Sequence, residues 1–154
     1  MAVTDRKKPE YDRLVRALRT NIETEITVGV HADAGADDNG VTLLDLANWH
    51  QFGEGNNPPR PWLTDWFDLK ESRVLRAIGT EIEVSIKRGE DLNRAIRRTA
   101  VAVQADIQRF ISDEASFEPN AVVTLRRKAP QTKPLIHRGI FRAGILAKVA
   151  GDVV

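Results

Sequence analysis

The sequence predicts an α+β fold, in which a small antiparallel sheet packs against two long antiparallel helices, with a short N-terminal helix added. Two long stretches, at about 62–87 and 91–110, carry apolar residues at steps of three and four, as amphipathic helices do. Two short segments, 25–31 and 145–154, alternate or are rich in valine, which is typical of strands. With 154 residues, the chain has the size of one domain, spanning 1–154.

The N-terminal helix is predicted over about 9–21. Pro9 suits the first turn, where an amide N–H would have no partner. The apolar stripe of this helix recurs at helical spacing and consists of Tyr11, Leu14, Val15, Leu18 and Ile22.

A half-buried strand is predicted next, because Ile26, Val28 and Val30 alternate with more polar or smaller residues. The following segment, "ADAGADDNG" at 32–40, contains small, acidic and turn-forming residues, so we expect an exposed and mobile loop. The valine-rich C-terminal segment is a candidate to pair with this first strand.

A short second helix is predicted to begin at Thr42, an N-cap residue with Asp45 three positions later. Gly53 is expected to end it, because glycine readily takes a positive φ. One face of the helix is predicted to carry Leu43, Leu46, Ala47 and His50.

The two long helices are expected to form an antiparallel hairpin, because only "RGED" at 88–91 separates them. Gly89 should stop the first helix, and Asp91 should cap the second. Further on, Asn120 is a candidate cap for one short helical turn that carries Val122, Val123 and Leu125. A proline-rich loop at 128–134 and a turn or short helix at 139–145 lead into the last strand.

Composition excludes several classes of function. No run approaches the roughly 18 apolar residues of a membrane helix, so we expect no membrane partner. Cysteine is absent, so disulfides and thiolate sites are excluded, and no signal-type segment begins the chain, which favours a cytoplasmic protein. The net charge of +1 lacks the basic excess that a dedicated duplex-DNA-binding protein usually shows. An alternative is an accessory nucleic-acid-binding protein that uses the basic clusters Arg97, Arg98, Arg126, Arg127 and Lys128.

Candidate catalytic and metal-binding groups are weak. His31 lies near Asp33, Asp37 and Asp38, but the spacing lacks the glycine and terminal glutamate of a calcium loop. His50 could be oriented by Glu54 as a general base, yet no nucleophile accompanies the pair in a recognisable turn.

The glycines of "FGEGNN" do not form a phosphate-binding loop, because prolines without N–H donors follow them. Glu81 and Glu83 lie two residues apart, on different faces of a helix, and so do not form a paired-carboxylate site. We therefore expect no enzymatic activity, no cofactor and no bound metal.

The most informative stretch is "NWHQFGEGNNPPRPWL" at 48–63, which we call the elbow. It is predicted to be the end of a helix, a sharp exit and a rigid bridge, because Pro58 and Pro59 fix φ and restrict their neighbours. Pro61 stands just before the next helix, where proline is tolerated. Arg60 is expected to point outward or to pair with an acid. Four rings are expected to converge where the helices meet, either filling the core or facing a partner: Trp49, Phe52, Trp62 and Trp66.

The elbow resembles a pattern of small bacteriophage morphogenesis proteins, "A-x-x-(H/N)-E-F-G … P-x-R-P-F". The matching residues are Ala47, His50, Phe52, Gly53, Pro58, Arg60 and Pro61, with Pro59 at the variable position. Gln51 stands where glutamate is usual, and Trp62 stands where phenylalanine is usual.

A second segment, "TLRRKAPQTKPLIHRGIFRAGI", is similar to that family's "T-x-x-x-K … PL-x-x-(T)G-x-L-x-x-(S)I". It matches at Thr124, Lys128, Pro134, Leu135, Gly139 and Ile145. It differs at His137 and Arg138, where small polar residues are common, and at Ile140-Phe141, where leucine is common. Order and spacing agree over roughly residues 25–150.

The resemblance is to the neck, tail-completion and minor tail proteins of tailed phages. It implies a non-enzymatic virion protein, made in the bacterial cytoplasm, that forms a closed homo-oligomeric ring of roughly six or twelve copies. The ring would lie at the head–tail joint or at the tail end, in contact with head-connector and tail-tube or tail-terminator proteins. DNA would pass through its lumen without specific binding.

Overall fold

The computed structural model describes residues 8–21, 24–130, 132–135 and 139–154. Over these residues the chain is α+β, as predicted. The helices are α1 Lys8–Asn21, α2 Leu43–Phe52, α3 Trp62–Arg88, α4 Leu92–Arg109, α5 Val122–Lys128 and α6 Ile140–Ala143. A π-helical turn, Phe110–Glu114, extends α4, and the strands are β1 Ile26–Val30, β2 Ile145–Val149 and β3 Asp152–Val153.

The three strands form one antiparallel sheet in the order β1-β2-β3. Ile26 lies opposite Val149 and Val30 lies opposite Ile145, so the predicted pairing of the first strand with the C-terminal segment is confirmed. Because β3 is short, side chains of α4 bond to the backbone of β2: Gln104 Oε1 accepts from the Ala147 N–H at 2.7 Å.

α3 and α4 form the predicted hairpin, and α4 packs on β1 and β2. Gly89 has φ 66° and ψ 26°, the left-handed conformation that ends α3. The Asp91 carboxylate accepts from the Asn93 N–H at 3.0 Å and so caps α4 as predicted. Between α4 and the sheet lies a cluster of buried small and aliphatic residues, comprising Leu92, Ala95, Ile96, Ala100, Ala147 and Val149.

The predicted start of α2 is confirmed. Thr42 Oγ1 accepts from the Asp45 N–H at 3.1 Å and donates to the Asp45 carboxylate at 2.6 Å. In the preceding segment, which is largely exposed, the Asp37 carboxylate accepts from the N–H groups of Asn39 and Val41, each at 2.9 Å. These bonds give the loop a defined turn.

One expectation needs correction. Asn120 does not cap α5, because its Nδ2 donates to the Thr132 carbonyl at 3.0 Å and ties the proline-rich loop to the start of the helix. The predicted N-terminal helix is present as α1, and of its apolar stripe Leu14 and Val15 are half-buried, whereas Tyr11 is 65% exposed and Leu18 is 44% exposed. Ile22 lies outside the described residues.

Candidate functional site

The elbow folds back on α2 and fixes the angle at which α3 leaves it. Gly53 has φ 81° and ψ 156°, and a Cβ there would lie 3.0 Å from the Asn57 carbonyl oxygen, so only glycine fits without a shift. After Pro58 and the exposed Pro59, the Arg60 N–H donates to the His50 carbonyl at 2.6 Å. The bridge is therefore held at both ends by backbone contacts.

Gln51 supplies the cap that the first turn of α3 lacks. Pro61 precedes α3 and has no side chain able to cap it. Gln51 Oε1 accepts from the Leu63 N–H at 3.1 Å, and Gln51 Nε2 donates to Thr64 Oγ1 at 2.5 Å. Gln51 therefore joins the end of α2 to the first turn of α3 through both atoms of its side-chain amide.

The two sequence motifs meet in the core through aromatic contacts. Trp62 is 3% exposed, and its Nε1 donates to the Ala47 carbonyl at 3.3 Å. Its ring lies edge-on to Phe141 at 5.4 Å, and the His50 ring lies edge-on to the same phenylalanine at 5.2 Å. Trp66 is also buried and donates to the Asp106 carboxylate at 3.0 Å.

The expectation that four rings converge at the corner is wrong for two of them. Phe52 is 75% exposed and Trp49 is 38% exposed. Successive residues of an α-helix are rotated by about 100° around its axis. Phe52 and Trp49 therefore lie on the side of α2 that is opposite the buried Leu43 and Ala47. The face assigned to α2 from its aliphatic residues already excludes them.

Arg60 does not point outward, and no carboxylate of the described residues pairs with it, which corrects a second expectation. It is 6% exposed, and its Nε donates to the Glu118 carbonyl at 3.1 Å. Burial lowers the pKa of its guanidinium, while the nearby negative charge of Glu118 acts in the opposite direction.

The second motif contributes the opposite side of the corner. Leu135 is 5% exposed with φ 59°, and Pro134 beside it is half-buried. Gly139 has φ 76° and begins α6, which carries Phe141 to the core. His137 and Arg138 lie outside the described residues.

A cleft of about 490 Å³ opens between the two motifs. The elbow, α2 and the loop before it form one wall, and α5 with α6 and Leu135 forms the other. Its polar lining includes His50, Asn57, Arg60 and Asn120, and its apolar lining includes Leu135 and Phe141. Three of the predicted site residues line this cleft, namely His50, Arg60 and Leu135.

The histidines and acids considered in the sequence as weak catalytic or metal-binding candidates do not form one centre among the described residues. The His31 Nε2 and Thr27 Oγ1 atoms lie 3.0 Å apart, and Asp33 pairs with Lys148 at 2.7 Å. Burial lowers the pKa of His31, helped by Lys148 and opposed by Asp33. Within the described ranges, no three His, Asp or Glu side chains group closely enough to hold a metal ion.

The basic clusters are only partly available to a nucleic acid. Arg98 pairs with Glu81 at 2.6 Å and with Glu90 at 2.8 Å, whereas Arg97 is exposed. Arg126 is exposed on α5, and the side chains of Arg127 and Lys128 lie outside the described part of the structure.

None of the helices in the described part of the chain combines the length and the hydropathy that a bilayer crossing requires. Comparison with models of known protein families gives no match. No solved structure matches the chain.

Proposed function

We propose that the chain is a structural virion protein of a tailed bacteriophage, which forms a ring at the head–tail joint and connects the head connector to the tail. The observation that carries this proposal is the meeting of the two family-like motifs. Trp62 of the elbow packs edge-on against Phe141 of the second motif, at 5.4 Å, although the two residues lie 79 positions apart in the sequence. Motifs that form one corner are expected to occur together.

Exposed apolar side chains support a role in assembly. Phe52 is 75% exposed on α2, and Phe67 and Leu69 are 49% and 71% exposed on α3. Side chains of this kind supply contact area between subunits once water is excluded. In a ring, each copy would present one surface to a different surface of its neighbour, and the contacts would close on themselves.

The proposal involves no reaction and no cofactor. Its partners are further copies of the chain, in a ring of roughly six or twelve, together with head-connector and tail-tube or tail-terminator proteins. DNA would pass through the lumen without specific binding, in line with a net charge of +1.

Oligomeric state tests the proposal in solution. Native mass measurement and negative-stain microscopy of the purified chain should give closed rings of one defined mass. Phe52→Asp should release subunits, because it places a charge on an apolar contact. Arg97→Gln, a change at an exposed residue of α4, serves as the control. A chain that stays monomeric at every concentration, and does not join particles, would contradict the proposal.

Filter binding across a salt series separates the ring protein from the alternative of a nucleic-acid-binding accessory protein. The ring protein should show no binding. Binding that weakens steeply with salt, and weakens further in Arg97→Gln, would favour the alternative.

A further inference from the structure

Arg60 is largely enclosed, but its terminal nitrogens are not among the buried atoms that lack a partner, so they remain accessible from the cleft that Arg60 lines. A guanidinium carries five N–H donors, and the described residues accept a hydrogen bond from one atom of Arg60 only, its Nε. Glu118 is near enough to act on its pKa, but no carboxylate of the described residues lies within 4.0 Å of its nitrogens. An arginine that is 6% exposed is stabilised when its planar fork meets a carboxylate.

The cleft beside Arg60 matches a peptide in its other groups. Leu135, Ile140 and Phe141 provide an apolar wall, while Asn57 and Asn120 provide amides that can donate and accept. A peptide backbone presents the same alternation of N–H and C=O groups, and its side chains can cover the apolar wall.

The acids at the rim limit how much negative charge the cleft can accept. Asp37 and Asp38 both line it, and they repel any ligand that carries many negative charges. DNA brings one charge for about every 1.7 Å of duplex, so it is disfavoured here. A ligand with one carboxylate is repelled by Asp37 and Asp38 through a single charge only, and that charge can reach Arg60.

We propose that this cleft binds an extended peptide segment of another protein, through a single carboxylate that accepts hydrogen bonds from the Arg60 guanidinium. The inference goes beyond the proposed function, because it concerns the chemistry of one cleft and holds whether or not the chain forms a ring. The bidentate geometry makes lysine a poor replacement for Arg60.

Titration of the full chain by NMR tests the proposal with two capped tripeptides, acetyl-Gly-Asp-Gly-amide and acetyl-Gly-Asn-Gly-amide. The aspartate peptide should shift the amide signals of the cleft and bind about tenfold more tightly than the asparagine peptide. Equal affinities, or no shifts up to about 10 mM of peptide, would overturn the inference. Tighter binding of a single-stranded oligonucleotide at the same signals would also overturn it.

Variants locate the site. Arg60→Lys should weaken binding of the aspartate peptide about tenfold. Thr124→Phe fills the cleft from α5 without touching the Arg60–Glu118 contact, and it should abolish the shifts even if Arg60→Lys fails to fold. Arg97→Gln, at an exposed position outside the cleft, should leave the affinity unchanged. Unchanged binding in folded Thr124→Phe would place the peptide elsewhere and refute the proposal.

Discussion

Two regions of the molecule keep their shape by different means. In the aromatic corner, formed by α2, the elbow, α6 and the start of α3, large rings are buried and their polar atoms are hydrogen-bonded, as in Trp62 and Trp66. In the outer hairpin, residues 73–105 of α3 and α4, the buried residues include small ones such as Ser85 and Ala100 beside the aliphatic Leu92 and Ile96, and none of them is aromatic. An open groove of about 650 Å³ lies along its surface, and Leu75 is 59% exposed.

Helical periodicity alone therefore does not separate core from surface. Both regions show the same apolar spacing, yet the corner is specified by long-range contacts to backbone groups, while the hairpin is specified at its turn by Gly89 and Asp91. Substitutions should be costly at the buried rings of the corner and mild at the exposed positions of the hairpin.

The largest effect is expected at Trp62. Trp62→Ala should lower the free energy of unfolding by about 3–5 kcal/mol, because it removes a buried ring and leaves a cavity beside Phe141. Phe52→Ala, at a ring that is 75% exposed, should change it by less than about 0.5 kcal/mol. Urea denaturation measures both, and equal losses would show that burial of a ring does not set the cost of its removal at the corner.

A matched pair of glycines contrasts the two regions directly. A Cβ at Gly144 would lie 2.5 Å from Leu43 Cδ1, and Leu43 is 3% exposed with little room to move. Gly144→Ala should therefore destabilise the fold by about 1–3 kcal/mol. Gly79→Ala, in α3 with nothing within 4 Å, should stabilise it by about 0.5–1 kcal/mol. Thermal unfolding measures both variants. If both substitutions change the melting temperature in the same direction, the proposed contrast between the two regions is wrong.

Acid sensitivity should be concentrated at Asp106, where the corner meets α4. Burial alone would raise the pKa of Asp106, but the hydrogen bond from Trp66 and the charges of Lys70 and Arg109 together lower it. A lowered pKa stabilises the fold above the ordinary value, and this stabilisation is lost as the pH falls through the folded-state pKa.

The matching experiment compares Asp106→Asn with wild type by urea denaturation at several pH values. The variant should be less stable at pH 7, and the gap should close below about pH 4. A gap that persists at low pH would mean that the charge of Asp106 does not contribute.

The smallest effect is expected in the outer hairpin, at the ion pairs of Arg98 with Glu81 and Glu90. Because these groups are near the surface, Arg98→Gln should lower the melting temperature only slightly, and high salt should remove the difference. Arg97→Gln should have no effect at either salt concentration. A large, salt-independent loss would show that the hairpin depends on these pairs.

The sequence predicted what local rules determine. The ends of α2, α3 and α4 follow from Thr42, Gly89 and Asp91, and the pairing of β1 with β2 follows from alternating apolar residues. These signals depend on residues a few positions apart or on the alternation along one strand. They can therefore be recognised in the sequence without knowing which distant residues are in contact.

What the sequence did not reveal depends on distant partners. The burial of Arg60 requires the carbonyl of Glu118, which lies 58 positions away. Asn120 donates to the Thr132 carbonyl instead of capping α5. Gln51, near the end of α2, caps the first turn of α3. The exposure of Phe52 could have been predicted, because the aliphatic face assigned to α2 already pointed away from it.

The decisive test of the proposed ring at the head–tail joint is imaging of phage particles. Particles made from the genome that encodes the chain would be examined by cryo-electron microscopy, with an added C-terminal tag located by gold label. If the proposed function is right, the micrographs should show a closed ring of roughly six or twelve copies at the head–tail joint. Deletion of the gene should leave heads and tails that are not joined. Intact particles that lack the chain, assembled normally without its gene, would contradict it.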